Sequence, residues 1–387
     1  MKILLVSPQP FFRVRGTPIN IRNVLIALSE AGHEVDLICY PFGEDLTLPG
    51  LRILRSPRFP GIQDVKVGPS LAKIPLDVLM SLQVAGRILF HSYDVVHAVE
   101  ESVFFSAPWA RLRKIPYIYD MDSLISDQLA YSGFISFKPL LRLVEWMETR
   151  AIRKASAVLT VCRALTDAAE RLVPNANLVQ IEDAPLEKEF IADEPGATLY
   201  REQYHLKNRP CIVYTGNLEA YQGIPLFIEA MDPLRRTHPD AAAVIVGGED
   251  RHRFNLEKEV ERLGLQHHVF FTGALPMEQM RACMTLADVL ISPRVKGENT
   301  ALKIYGYMQT GKPIVATSIP THTQLLNEDT AWLCKPNPQD MARALAAALH
   351  PQGNSKGERA AVLLQEKYSL ERFFDQIKTL YEDISPT

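Results

Sequence analysis

The residues with the most chemistry to offer lie between Ser292 and Thr317, in the run SPRVKGENTALKIYGYMQTGKPIVAT. The run reads as a strand end, a polar loop, a helix, a Gly-Lys-Pro turn and a second strand. The loop holds Arg294, Lys296, Glu298, Asn299 and Thr300. Ala301 and Leu302 lead into a helix with Lys303 in its first turns. A helix start leaves unpaired backbone N–H groups and a partial positive charge. Behind a parallel strand, such a start is an anion site, most often for phosphate. Arg294, Lys296 and Lys303 add charge to the same spot.

Other candidates sit nearer the N-terminus. The loop Pro8 to Pro18, PQPFFRVRGTP, is basic, and its Gly16 permits close backbone approach. Arg13 and Arg15 read either as phosphate or acceptor ligands or as solvated arginines. Asp120 and Asp122 flank Met121 at the end of a strand. Their spacing matches a metal-binding carboxylate pair, but strand-end carboxylates usually serve as turn acceptors or site groups. No His cluster stands at ligand spacing, so no metal is expected. Asp122 has the chemistry to accept a proton from an attacking hydroxyl or to stabilise positive charge beside it, with Asp120 as its structural neighbour. His97 ends the strand DVVHAV, just before Glu100 and Glu101. It reads equally as a catalytic histidine or as one that orients another group. His33 opens a strand far from the ligand edge and reads as structural.

These groups need a scaffold, and the chain supplies one. Short β-rich runs alternate with helical patterns: KILLVS, EVDLICY, LRILRS, DVVHAV, PYIYDM, SAVLTVC and NLVQIE come first. CIVYTG, AAVIVGG, HVFFTG, DVLISP, PIVAT and AWLCKP follow. Near-continuous apolar strands separated by helices predict parallel sheets covered on both faces. The acid- and proline-rich stretch Asp183 to Thr198 breaks the pattern, and a new strand series starts at Cys211. The expected fold class is therefore α/β with two doubly wound domains, over residues 1–190 and 191–366. In the last segment, 367–387, Phe373, Ile377 and Tyr381 recur at helical spacing.

Composition fits this reading. The chain has 387 residues, 47% hydrophobic and 22% charged, with a net charge of −3. That is ordinary for a globular protein of two domains and gives no nucleic-acid footprint. Five scattered cysteines form no C-x-x-C pair and predict reduced, mostly buried thiols in a cytosolic protein. The first strand begins at Lys2, which leaves no room for a signal-peptide core. The longest apolar stretch, Ile74 to Phe90, contains Asp77, Gln83 and Arg87 and reads as a helix rather than a membrane span. Leu140 to Ala157 is a basic amphipathic helix. Its pattern fits ordinary core packing, or contact with an anionic membrane.

Taken in order, the runs KILLVSPQP, AGHEVDLICY, DVVHAVE, SAVLTVCRALTDAAE, VYTGNLEAYQG, AAVIVGGED and SPRVKGENTALK resemble the family-4 retaining glycosyltransferases, as does GKPIVAT. The resemblance covers nearly the whole chain. It implies the GT-B fold, two Rossmann-like domains facing a central cleft, with the last helix crossing back to the first domain. It also implies transfer of a hexosyl group from a nucleotide-diphosphate sugar to an acceptor hydroxyl of a cell-surface glycan, glycolipid or small metabolite, as in polysaccharide biosynthesis. No cofactor or metal is needed, and the setting would be cytoplasmic or peripheral at the inner membrane face. By the same resemblance Glu298 binds donor-sugar hydroxyls. Gly216, Asn217, Gln222, Arg294, Asn299, Thr300, Ala301, Leu302 and Lys303 line the donor site, with Gly16 approaching the diphosphate from the opposite wall. Asp122, which stands where many relatives carry histidine, and His97, where the family often has one, lie near the reacting sugar, and Arg13, Arg15 and Asp120 near the acceptor.

Three positions depart from the family. Asn217 and Gln222 stand where an Arg and a Lys usually clamp the diphosphate, and Gly306 stands where a second glutamate holds the donor ribose. Neutral donors form hydrogen bonds about half as strong as charge-assisted ones. The glycine marks either close packing or drift. The departures keep two other readings open: a non-catalytic GT-B partner subunit, and a sugar-nucleotide epimerase or hydrolase.

Overall fold

The computed structural model describes residues 1–12, 16–65, 68, 70–131, 134, 137–248, 250–297, 299–350 and 354–384. The chain divides into two compact units. One is Met1–Ala184 with Leu370–Thr387; the other is Pro185–Ser369.

The first unit holds β1 (Lys2–Ser7), β2 (Glu34–Cys39), β3 (Leu51–Arg55), β4 (Val95–Val99), β5 (Tyr117–Met121), β6 (Ala157–Thr160) and β7 (Leu178–Gln180). They form a parallel sheet in the order β3-β2-β1-β4-β5-β6-β7. The second unit holds β8 (Cys211–Thr215), β9 (Ala242–Val246), β10 (Val269–Gly273), β11 (Val289–Ser292), β12 (Ile314–Thr317) and β13 (Trp332–Cys334). Its sheet is parallel too, in the order β10-β9-β8-β11-β12-β13. All these strands fall on the apolar runs read from the sequence.

The central strands are largely apolar because both their faces are covered. In β1, Leu4 and Val6 enter one core while Ile3 and Leu5 enter the other. Helices Lys73–Phe90, Ser102–Leu112 and Lys138–Lys154 cover the Leu4 face. Helices Gly16–Glu30 and Leu370–Ile384 cover the Ile3 face. Phe373, Ile377 and Tyr381 of the last helix are buried there, as their spacing predicts.

This layering fixes where a ligand can sit. The helix after β1 lies on one face of the first sheet and the helix after β4 on the other. In the second unit the helix Ile224–Thr237, after β8, and the helix Lys303–Gln309, after β11, also take opposite faces. At both places the strand order reverses, and the diverging connections leave a crevice at the carboxyl ends of the strands.

The packing of the last helix is testable. Ile377 is fully buried, so Ile377→Ala costs about 2–5 kcal/mol. Lys378, 3.5 Å from Glu30, makes a surface pair, and Lys378→Ala costs no more than about 1 kcal/mol. Urea unfolding reads both as shifts in midpoint. Equal shifts would show that this helix does not belong to the core.

Candidate functional site

The switch point of the second unit brings together Gly216, Gln222, Arg294 and Lys303 of the residues singled out above. Gly216 leaves β8 with φ 143°, a conformation that glycine alone adopts readily. A Cβ there would lie 2.7 Å from Lys303 Nζ, so the missing side chain makes room for the ammonium. Gly223 ends the short turn Ala220–Gln222 at φ 71°, and a Cβ there would strike the Pro293 carbonyl. Its absence lets the loop after β8 close on the loop after β11, where the Val295 N–H donates to the Tyr221 carbonyl at 2.9 Å.

Among the described residues, Lys303 is held in this junction without a carboxylate. Its Nζ lies 3.8 Å from the centroid of the Tyr214 ring and donates to Gln222 Oε1 at 3.2 Å. Burial, reinforced by the charge of Arg294, holds the ammonium well below the usual lysine range. Arg294 stacks its guanidinium 5.0 Å from the Tyr221 ring. It donates to Thr321 Oγ1 at 3.0 Å and to the Lys296 carbonyl at 2.8 Å. Gln222 therefore plays a part that lysine would not: its amide oxygen accepts from Lys303, where a second ammonium would repel it. Asn217 spends its side chain on its own loop, with Oδ1 accepting from the Glu219 N–H at 3.2 Å and Nδ2 facing the Tyr221 hydroxyl at 3.3 Å.

Asn299 braces the loop, its carbonyl accepting from the Thr321 hydroxyl. The N–H groups of Thr300, Ala301 and Leu302 follow, and among the described residues none of them meets an acceptor. Three such donors beside two cations make a place for an anion with several oxygens. Glu298 lies outside the described residues. A residue the sequence reading missed, His322, supports the floor. Its ring bonds Ser292 Oγ at 2.8 Å and the Thr317 carbonyl at 2.8 Å. A carbonyl only accepts, so Nδ1 carries the proton and Nε2 accepts the Ser292 hydroxyl. Burial lowers this imidazole to about 4. Nothing in the local sequence marks His322, whose partners come from two different strand ends.

At Gly306 the structure removes one of the two readings. A Cβ there meets nothing within 4 Å, so close packing does not explain the glycine.

The switch point of the first unit is acidic. Glu100 follows β4 at φ 47°, and its N–H donates to the Asp120 carbonyl at 2.9 Å. Its carboxylate accepts from Gln9 Nε2 at 2.9 Å, joining the loops after β1 and β4. Lys73 Nζ meets Glu101 at 2.9 Å, and the Tyr40 hydroxyl donates to Asp77 at 2.6 Å. Asp122, half-buried just after β5, accepts from Thr17; burial and the charges of Asp120, Glu100 and Asp183 hold its carboxyl well above the usual range. Burial first, then neighbouring carboxylates, raises Glu100 and lifts Asp77 and Asp183 to about 7. The turn carrying Asp122 is pinned from below by Glu148, whose buried carboxylate accepts the Ile125 N–H at 2.8 Å and the Ser126 hydroxyl at 2.7 Å.

His97 is fully buried between two partners. Its Nε2 lies 3.0 Å from Asp120 Oδ2 and its Nδ1 2.6 Å from the Tyr381 hydroxyl. A carboxylate oxygen accepts, so Nε2 donates to Asp120 and Nδ1 accepts from Tyr381. With both nitrogens engaged, His97 is a positioning residue for Asp120 and makes no contact open to a reactant. Tyr381 was legible only as an apolar helix position. Gly16 opens the helix Gly16–Glu30 beside this edge, exposed and with nothing within 4 Å of a Cβ. Arg13 and Arg15 lie outside the described residues.

Two family models match the chain: Glycosyl transferase 4-like domain over residues 16–183 and Glycosyl transferases group 1 over residues 197–362. The chain belongs to the family-4 glycosyltransferases. Among curated relatives of this family, it is 30% identical to the alpha-D-kanosaminyltransferase of Streptomyces kanamyceticus over 249 residues, 62% of this chain and 64% of that protein. It is 32% identical over 149 residues to a GDP-mannose-dependent alpha-(1-6)-phosphatidylinositol monomannoside mannosyltransferase of Mycolicibacterium smegmatis, 37% of this chain and 39% of that one. Both alignments thus span less than two thirds of the relative. Solved structures share the fold over nearly the full length. Anabaena Alr3699/HepE in complex with UDP and glucose matches with TM-score 0.77 at 18% identity, covering 99% of each chain. Sucrose-phosphate synthase from Thermosynechococcus elongatus matches with TM-score 0.79 at 18% identity, covering 99% of this chain and 98% of that one. The fold is GT-B.

Two outcomes follow from this family member's geometry. With ordinary carboxyl values near 4 in the unfolded chain, Asp77, Glu100 and Asp183 bind protons more tightly when folded. Between about pH 4 and 7 the folded state then holds more protons, so stability falls as pH rises through that window. Melting of the first unit should come at a higher temperature at pH 5 than at pH 8, and Asp183→Asn should narrow the gap. A melting temperature that rises with pH and is indifferent to Asp183→Asn would refute the cluster's electrostatics. Gly306→Ala should raise stability by up to about 1 kcal/mol, since the helix gains propensity and nothing clashes. A lower urea midpoint for this variant would show that the glycine is required.

Proposed function

We propose that the chain is a retaining, metal-independent hexosyltransferase that moves a sugar from a nucleotide-diphosphate donor to an acceptor hydroxyl. The observation that carries this reading is the second unit's switch point. Lys303 and Arg294, with the N–H groups of Thr300 to Leu302, offer charge and directed donors, and among the described residues the ammonium meets no carboxylate. Breaking the bond from the anomeric carbon to the diphosphate puts negative charge on phosphate oxygens, and preorganised donors stabilise it as it forms. The new bond joins the acceptor oxygen to the anomeric carbon on the same face, and the acceptor proton passes to the departing phosphate oxygen or to a carboxylate. Glu298 holds the donor-sugar hydroxyls. The first unit takes the acceptor, with Asp122 nearest the reacting hydroxyl and Asp120, oriented by His97 and Tyr381, beside it.

The acceptor is a glycan, glycolipid or small metabolite, and the setting is cytoplasmic with peripheral contact at the inner membrane face. Relatives whose names specify phosphatidylinositol monomannoside or phosphatidyl-myo-inositol support a lipid-linked acceptor. A partner-subunit reading draws on Asn217, whose amide is consumed by its own loop, and on the absence of a carboxylate at Gly306.

A panel of UDP-, GDP-, ADP- and dTDP-sugars, with product analysis by NMR of the anomeric configuration, separates these. Donor binding with transfer and retained configuration is expected; donor binding without transfer to any acceptor class favours the partner subunit. Lys303→Ala should weaken nucleoside-diphosphate binding about ten- to a hundredfold, the scale of one charge-assisted hydrogen bond in a desolvated site. The bare nucleoside should lose little, because Lys303 gains an anionic partner only from phosphate. Equal losses for both ligands in calorimetric titration would move Lys303 out of the diphosphate site.

A further inference from the structure

Of the sixteen large apolar side chains exposed among the described residues, twelve belong to the first unit. They are not scattered. Helix Lys73–Phe90 buries Leu76, Met80, Val84 and Ile88 against the sheet. One face round, Ile74, Val78, Leu82 and Phe90 recur at the i, i+4 spacing and are 53 to 83% exposed. The charged side chains of this helix are all engaged by the protein. Lys73 is buried against Glu101, Asp77 accepts from Tyr40, and Arg87 pairs with Asp36. The helix is therefore apolar on both sides, a pattern that water alone does not favour.

Helix Lys138–Lys154 covers the same face of the sheet. Its inward side is small, with Glu148, Ala151 and Ile152 buried. Leu140, Leu143 and Trp146 form an exposed stripe, and Arg150 lies 5.7 Å from the Trp146 ring. Between the two runs helix Ser102–Leu112, which leaves Leu112 exposed at its end. Exposed charge on the helices Ser102–Leu112 and Lys138–Lys154 and the turn after the first is one-sided. Arg111, Arg113 and Lys114 are exposed on the central element, and Lys138, Arg142, Arg150, Arg153 and Lys154 on the outer one. Glu145 is the one exposed carboxylate on these segments.

We propose that this three-helix face docks the first unit onto an anionic lipid bilayer. The stripe of leucines, tryptophan and phenylalanine enters the interface, and the flanking cations meet lipid phosphates, the arrangement of an interfacial helix. A second copy fits poorly, because eight cations would face eight cations. The crest Ile74, Val78, Leu82, Gly86 and Phe90 also offers no hydrogen-bonding side chain to set the register of a protein partner, and a bilayer needs none. The proposal deepens the peripheral contact in the functional reading above. It is measured without donor or acceptor, so its failure would leave sugar transfer standing.

The test is co-sedimentation of the full chain with vesicles of phosphatidylglycerol and phosphatidylcholine in equal parts, against pure phosphatidylcholine. Binding to the anionic vesicles is expected, weakening as salt rises from about 0.1 M to 1 M and the Debye length shrinks from about 10 to 3 Å. Removing Arg142 or Arg150 by alanine substitution should cost about fivefold each, the effect of one cation near a charged surface. Val78→Glu with Leu82→Glu should abolish binding, and Leu199→Glu, on an exposed apolar residue of the other unit, should not. Both altered side chains on the crest are exposed, so a far-UV melt should match the parent. A second reading uses Trp146 alone, with Trp109→Phe and Trp332→Phe: brominated lipid should quench its fluorescence. Absence of binding, binding indifferent to the crest variants, or a self-association that those variants dissolve would each overturn the proposal.

Discussion

The reversal of strand order beside the first strand of each unit is the constraint on which the rest depends. A right-handed crossover carries each helix to one face of a parallel sheet. Where the order turns back, successive helices are sent to opposite faces: Gly16–Glu30 and Ser102–Leu112 in one unit, Ile224–Thr237 and Lys303–Gln309 in the other. The connections that part there cannot cover the strand ends between them. Gly216, Gln222, Arg294 and Lys303 meet because they belong to those two connections. Gln9 and Glu100 meet for the same reason.

The two switch points then differ in sign. At the second, Lys303 is steadied by the face of Tyr214 and the oxygen of Gln222, neither of which neutralises it. A carboxylate in their place would hold the lysine more firmly but would compete with an incoming phosphate. At the first, Glu100, Asp122 and Asp183 are raised, by burial first and then by neighbouring carboxylates, Asp120 among them in each case. One site gathers cations and backbone N–H donors and the other gathers carboxyl groups, each at the edge where a sheet of this kind receives its ligand. The neutral Asn217 and Gln222, read from sequence as a weakened clamp, have a simpler account in the fold: one closes its own loop, and the other holds the lysine.

Strand positions were legible because a strand covered on both faces has to be apolar along its length, and that signal is local. KILLVS and CIVYTG announce β1 and β8 with no knowledge of their neighbours. The polar loop before Lys303 was legible for a similar reason, since loop, cations and helix start are contiguous. His322 was not, because its partners Ser292 and Thr317 come from two strand ends and only the sheet brings them together. Tyr381 was hidden more deeply. Its spacing marks it as an apolar helix position, and its ring is indeed buried, but the hydroxyl reaches His97, 284 residues away in the sequence. From sequence His97 reads equally as catalytic, since the family often has histidine there, or as orienting another group; in the fold it sits at the middle of β4, not at its end. The last helix closes over it through Tyr381, whereas Asp122, just after β5, is half-buried.

Helix Lys73–Phe90 shows the opposite limit. Asp77, Gln83 and Arg87 argued from sequence that this stretch does not cross a membrane, and among the described residues no helix is long and apolar enough to do so. Two of those residues spend their polarity inward, Asp77 on Tyr40 and Arg87 on Asp36 and Tyr93. The charges that mark the helix in the sequence are thus removed from its surface by the fold. What remains outside is a row of Ile, Val, Leu and Phe that the core does not use. Periodicity cannot distinguish such a row from the buried one beside it, since both recur every four residues and both are apolar. Only the position of the sheet decides which is the core, and the row left over then requires an explanation of its own.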